Sequence, residues 1–476
     1  MTRERLTFGH GAHVPVPRVA AATAATTAHE ATPVHFSRPE TWDWAWGGLL
    51  FFTVLLFFRP QDQIPFLRDS HLANVAALVG LAAMVGLNLS RRLPITRLTP
   101  ELVALALFGL VIGITIPLSF WPGGAFNAFE TLYIPVLLIF VLMVNTMTSP
   151  RRVERIVWII VVAFGYMSAR TCFDYLRGVN VYDGRATGPV GGFFQNPNDL
   201  ALNLASFVPF ALMYVKRPGP FLKRVFFAGV SVAMLTAIVF TKSRGGTLGT
   251  VAMLLTFVIV ARLLTPTALI VGIMAGMLVL PAMPDSFWAR MESITDGKKD
   301  ETGSREERRL LLQQGWMVFM ENPLTGVGPG QFKNYWHQGL PKKWHEVHNV
   351  WLQVAAEMGI FALLAFAYLV TRGFTAAFWT RKRLAPPRRR GRRGARSDLS
   401  EDGLTDDERL FLQTHAAAMV AAMVGWFVCA LFASVALNWT IYYLIGLSVT
   451  ARDVVRARQA GYAKAKAAAL RGAVAA

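Results

Sequence analysis

His345 and His348 stand three residues apart in "WHEVHN", directly ahead of the apolar run that follows Asn349. A membrane-crossing run needs no imidazole at its mouth, so the pair raises the question of proton transfer at a membrane surface. A His near its reference pKa is neutral often enough at physiological pH to take a proton from a hydroxyl. Glu357 lies deeper in the same run. It is about two and a half helical turns from His348, faces another side, and is given no catalytic role. Zinc would require further ligands at suitable spacing, and His337 is the only other His in that loop, so no metal or cofactor site is read here.

The second group with chemical capacity is a set of arginines in segments otherwise poor in Lys and Arg. Arg59 lies in "FFRPQDQIPFLRDS", Arg185 in the Gly-rich "RGVNVYDGRATGPVGGFFQNPNDLA", and Arg244 in the tight "TKSRGG". Arg305 and Arg308 begin "SREERRLLLQQGW". A guanidinium fork beside exposed backbone N–H groups at a helix start favours anions, which is the reading for Arg244. Arg185 precedes "NPND", where Asn198 or Asp199 could cap the next helix. Arg59 either snorkels to headgroups or joins an anion site, and Arg305 and Arg308 either start a charged surface helix or reach the same anion. Arg170 and Asp174, one turn apart, either pair with each other or line a cavity. Arginines could hold a diphosphate while His348 accepts a proton, a pattern that suggests transfer from a phosphorylated lipid carrier.

These residues must be positioned by membrane helices. Of 476 residues 54% are hydrophobic, and mean hydropathy is positive at +0.40. A soluble chain of this length could not bury that much apolar surface. Twelve runs approach the length needed to cross hydrocarbon as helix, so an all-α integral membrane protein is expected. They lie near 44–58, 72–89, 101–120, 126–147, 153–173, 198–215, 221–241, 245–264, 267–283, 348–371, 411–436 and 438–453.

The net charge of +19 is distributed in alternate loops: Arg91, Arg92 and Arg97; Arg151, Arg152 and Arg155; Lys216, Arg217, Lys223 and Arg224; and "RKRLAPPRRRGRRGAR". By the positive-inside rule these loops and both termini are cytoplasmic, in contact with anionic lipid. The basic runs lack interleaved aromatics, which argues against nucleic acid. Residues 1–43 read as a disordered cytosolic tail rather than a signal peptide, 381–408 as a disordered cytosolic loop, and 456–476 as a cytosolic tail. Runs one to nine fill 44–283 and runs ten to twelve 348–455. Between them, residues 284–347 form the one long outer loop, within which 305–321 has the spacing of an amphipathic helix before "NPLTGVGPG" breaks it. Cys172 and Cys429 lie within spans and read as packing residues.

Taken in order along the chain, "GRATGPVGGFFQNPNDLA", "TKSRGG", "ENPLTGVGPGQF" and His348-Asn349 followed by nine residues and Gly359 resemble the O-antigen ligase and polymerase superfamily of bacterial membrane glycosyltransferases. The pattern ends in Gly, Thr or Tyr where this chain has Ala362. The resemblance implies a helical bundle of the GT-C type in the bacterial inner membrane, with a large periplasmic loop between helices nine and ten. It implies an undecaprenyl diphosphate-linked glycan as donor and a glycolipid such as lipid A-core, or another glycan, as acceptor. It also implies His348 as catalytic base, Arg185 and Arg244 as the diphosphate-binding pair, and inverting transfer without a metal. Arg305, Arg308, Arg59, Asn349 and His345 are further candidates. A polymerase using the same donor is the nearest alternative. A polysaccharide or lipid-carrier transporter is the alternative of another class, against which stands the absence of a two-half repeat.

Overall fold

The computed structural model describes residues 42–67, 72–263, 283–292, 304–335, 345–385 and 403–475, with single residues at 70, 270, 274, 277 and 281. The described chain is helical apart from one two-stranded hairpin, β1 (Val181–Tyr182) and β2 (Arg185–Ala186), which pairs antiparallel. The helices are α1 (Trp44–Phe57), α2 (Leu72–Ser90), α3 (Pro100–Leu118), α4 (Pro122–Thr146), α5 (Pro150–Leu176), α6 (Pro197–Lys216), α7 (Phe221–Thr241) and α8 (Arg244–Val260). After them come α9 (Asp285–Glu292), α10 (Ser304–Glu321), α11 (Val350–Leu384), α12 (Asp406–Ala430) and α13 (Trp439–Ala475).

Local chemistry places the boundaries. Thr99, Ser149 and Asn196 each cap a helix whose first residue is Pro, so the missing Pro N–H falls where no intrahelical bond is due. Thr405 and Glu408 form a reciprocal capping box at the start of α12. Each cap gives a partner to backbone N–H groups that the first turn of a helix leaves without one.

Among the described residues eight helices are long and apolar enough to cross a membrane: α2 to α7, α11 and α12. Trp44–Phe57 and Arg244–Val260 are shorter apolar helices. The run expected at 438–453 begins the continuous 37-residue α13, and the run expected at 267–283 falls largely outside the described residues. Three boundaries differ from expectation. Helix α11 continues to Leu384 and α12 begins at Asp406, so both ends of the 381–408 stretch are helical; residues 386–402 lie outside the described residues. The 456–476 segment is a helical extension of α13 up to Ala475, because its Ala-rich composition carries the preceding helix on. Residues 1–41 lie outside the described residues, and Asp43 caps α1.

Small residues let helices approach closely: a Cβ on Gly48 of α1 would lie 2.5 Å from Gly80 Cα of α2. Phe57, Phe164, Phe207 and Tyr443 interlock from α1, α5, α6 and α13 at the centre. Outward-facing residues of α2 and α3 such as Leu78, Leu107 and Ile114 are exposed and apolar, as a lipid-facing surface requires. One charged group is sealed inside: Glu101 of α3, fully buried, accepts from Arg452 of α13 at 2.7 and 3.0 Å and from Arg372 of α11 at 2.9 Å.

Candidate functional site

The connections after α1, α3, α5, α7 and α12 and the chain leading into α11 meet at one end of the bundle. Arg59 sits in a left-handed conformation and pairs with Asp62 at 2.5 Å, while Asp62 Oδ2 also accepts from the N–H of Gly191 at 2.9 Å. This pair fastens the first connection to the Gly-rich loop. Arg170 pairs with Asp174 at 2.9 Å, and Asp174 also accepts from Asn180 at 2.8 Å, which braces the end of α5 to the loop that follows.

Arg185 enters from β2 and is nearly buried. Its Nε donates to the carbonyl of Thr241 at 2.9 Å and its Nη2 to Asn198 Oδ1 at 2.7 Å. Ser243, the cap of α8, donates to the same Asn198 oxygen at 2.9 Å. Asn198 and Asp199 are therefore not caps: Asn196 caps α6, which leaves Asn198 free to bridge the Arg185 loop to the turn that presents Arg244. Arg244 is the first residue of α8, one position beyond that cap.

Electrostatics ties this turn to the outer loop. Burial first, and then the positive charges of Arg290, Arg308 and Arg244, lower the pKa of Arg185 to about 10, with Asp183 opposing. Four guanidiniums thus converge within electrostatic reach, two from the inter-helix turns and two from α9 and α10. A lone Arg in "DSFWARME" carries no local signal in the sequence, yet the charge of Arg290 is felt at Arg185. Arg305 has a side chain outside the described residues, as does His337.

His348 lies next to this cluster. Its backbone is left-handed, φ 56°, and its N–H donates to Ser434 Oγ at 2.9 Å in the turn between α12 and α13. Burial first, then Arg308 and His345, push its imidazole down to about 4, with Glu307 opposing. The ring is therefore neutral at physiological pH. His345 is half exposed and reaches Glu307 at 3.3 Å, at the rim rather than in the cluster. Asn349 has a structural role in this arrangement. Its Oδ1 accepts from the N–H groups of Trp351 and Leu352 at 3.1 and 3.0 Å, and its Nδ2 donates to Leu431 O at 3.1 Å, so it caps α11 and pins it to the 431–438 turn.

Beyond His348, α11 carries a break that the sequence did not reveal. Gly359 has φ 79° and ψ −179°, inside a helix. The break frees backbone groups that pair with the "NPLTGVGPG" loop: Ile360 N–H donates to Pro323 O at 2.8 Å, and Ala356 O and Glu357 O accept from Val327 and Gly328 at 3.0 and 2.8 Å. A Cβ at Gly359 would lie 2.2 Å from Leu324 O. Glu357 completes the dock, its carboxylate accepting from Gly330 N at 3.0 Å, Phe332 N at 3.4 Å and Gln353 Nε2 at 3.3 Å. Gln353 in turn accepts from Ala436 N at 3.1 Å. Glu357 is a clamp between the loop and the helix, and its side chain is spent on that task. Among the described residues no group of three or more His, Cys, Asp or Glu is placed to hold a metal ion.

The fold and this cluster define a multi-pass helical membrane protein with a basic, histidine-bearing site at one end of the bundle. Residues 229–367 match the family model described as O-antigen ligase, so the likeness to the O-antigen ligase superfamily holds across that stretch. A search of curated proteins returns no match to the chain. The matched stretch includes Arg244, Arg290, Arg308, His348 and the Gly359 break, while Arg185 and Arg59 lie before it.

Proposed function

We propose that the chain is a membrane glycosyltransferase of the O-antigen ligase type, moving a glycan from an undecaprenyl diphosphate carrier to a hydroxyl acceptor such as lipid A-core. The observation that carries this reading is geometric: Asn198 joins Arg185 to the turn that presents Arg244, and the 431–438 turn that sets Phe432 against Gly245 also holds the His348 backbone through Ser434. A diphosphate brings the charge and the acceptor oxygens that guanidinium forks engage.

In the reaction His348 takes the proton from the acceptor hydroxyl as its oxygen forms a bond to the anomeric carbon. The bond from that carbon to the diphosphate oxygen breaks on the opposite face, and its electron pair leaves with the diphosphate, which inverts the anomeric centre. The arginines stabilise the charge that builds on the leaving group, in the manner of a fixed electrostatic hole. Their charge occupies the part that a divalent cation takes in other glycosyl transfers, so the transfer is metal-independent. Before the donor binds, Arg308 depresses the basicity of His348; the bound diphosphate offsets that field and makes the ring a stronger base when the substrate is in place.

The site faces the periplasm of the bacterial inner membrane, with both termini cytoplasmic. Arg152, Arg217 and Arg381 cluster at the other end of the bundle, as the positive-inside rule asks of a cytoplasmic face. A polymerase would use the same groups and donor with a glycan repeat as acceptor. The test is a reaction of purified protein with a synthetic lipid diphosphate glycan and alternative acceptors, with and without chelator. Transfer to lipid A-core that survives chelator supports the reading. Products lengthened only by repeat units identify a polymerase, and loss with chelator restored by magnesium overturns the arginine mechanism.

A further inference from the structure

A second polar feature lies at the far end of α6. That helix is 20 residues long, roughly 30 Å, so its two ends are separated by about the thickness of a hydrocarbon core. Glu154, Tyr214, Arg217, Lys223, Arg224 and Asp407 line a cavity of about 380 Å³ there, together with the Pro218–Pro220 turn.

Its polar groups are unevenly satisfied. Arg217 is fully engaged, pairing with Glu154 and with Asp407 at 2.6 Å each. Lys223 instead holds its ammonium 5.2 Å from the ring of Trp158 and 5.3 Å from that of Tyr214, and no carboxylate pairs with it among the described residues. Tyr214 is 1% exposed, yet its phenol oxygen has no hydrogen-bond partner. A buried hydroxyl left so is destabilising, and a ligand oxygen accepting from it would offset that cost. Arg224 spends its Nε on Val215 O at 3.0 Å and keeps the rest of its guanidinium at the surface. Three cations against two carboxylates leave a net positive charge. Immediately beside the cavity Phe221 and Leu222 are 80% and 78% exposed, apolar surface placed where acyl chains would lie.

We propose that this cavity binds an anionic phosphate group, carried by a membrane lipid headgroup, with Lys223, Arg224 and the Tyr214 hydroxyl as its ligands. A phosphate oxygen accepts from the phenol while the two cations balance its charge, and the neighbouring Phe221 and Leu222 meet the tails. The lipid then ties the α6–α7 turn to α5 and α12 at the face opposite His348.

The test uses the purified full-length protein in detergent, titrated with phosphatidylglycerol, phosphatidylcholine or inorganic phosphate, with bound species counted by native mass spectrometry. Phosphatidylglycerol should bind wild type, and the Lys223→Gln/Arg224→Gln variant about tenfold to a hundredfold more weakly, the scale of losing charged hydrogen bonds. Tyr214→Phe keeps the packed ring, removes only the hydroxyl, and should weaken binding several-fold. Inorganic phosphate that displaces the lipid, and loses affinity in the same variants, supports the anion site with the free ion as a sufficient ligand. Phosphatidylcholine bound as tightly as phosphatidylglycerol, or phosphatidylglycerol binding undiminished in both variants, would overturn the proposal.

Discussion

The backbone N–H of His348 donates to Ser434 Oγ at 2.9 Å, joining the start of α11 to the turn between α12 and α13. The bond matters because His348 holds a left-handed φ of 56°, a conformation a non-glycine residue keeps only where its surroundings impose it. Ser434→Ala should lower kcat about tenfold while donor affinity stays within twofold, since the hydroxyl orients the imidazole and does not touch the diphosphate. Parallel loss of donor binding in a titration would show that Ser434 does more than hold the backbone.

Acidity provides a second check. The free-enzyme kcat/KM should decline only as pH falls toward about 4, well below the ordinary imidazole range, because the base must be neutral to act. Arg308→Gln removes a depressing cation and should move that decline upward, toward 6.5. Glu307→Gln removes the opposing anion and should move it further down. Opposite shifts from neighbouring positions in one helix are hard to obtain from a merely structural effect. Identical profiles for all three proteins would contradict the placement of His348.

Gly359→Ala tests the break in α11. The added methyl would meet Leu324 O and impose a side chain on φ 79°, so the "NPLTGVGPG" loop must leave its dock. A loss of about 2–4 kcal/mol in thermal or denaturant unfolding is expected, with activity falling more than stability because His348 shares the helix. An alanine variant of wild-type stability would mean that the loop pairs elsewhere.

How much of this was legible in the chain follows from where the information resides. Eight long spans were readable because hydrocarbon demands long apolar runs, and Arg185, Arg244 and His348 drew notice as ionisable groups in connections beside those runs. Their partnership was not readable. Asn198 looks like a cap until Asn196 is seen to fill that role, and the capping role of Asn349 shows only once its amide is seen bonded to Trp351, Leu352 and Leu431. Arg290 and Ser434 reach the site only through tertiary packing, and Gly359 discloses its purpose only once the partner loop is in view.

The buried triad supplies a prediction independent of the site. Glu101→Gln leaves Arg452 and Arg372 facing a neutral amide in a sealed place, and breaking a buried pair in this way costs about 3–5 kcal/mol. Yield and unfolding temperature should drop, whereas turnover per folded molecule should be nearly unchanged because the triad lies at the other end of α11 from His348.

The central claim is that guanidiniums hold the diphosphate while the His348 imidazole takes the acceptor's proton. Single-turnover transfer and equilibrium donor binding, measured side by side for wild type, His348→Ala and Arg244→Gln, test it most directly. The account predicts that His348→Ala binds donor normally and transfers at least about a hundredfold more slowly, while Arg244→Gln loses both affinity and rate. Transfer at the wild-type rate by His348→Ala would contradict it.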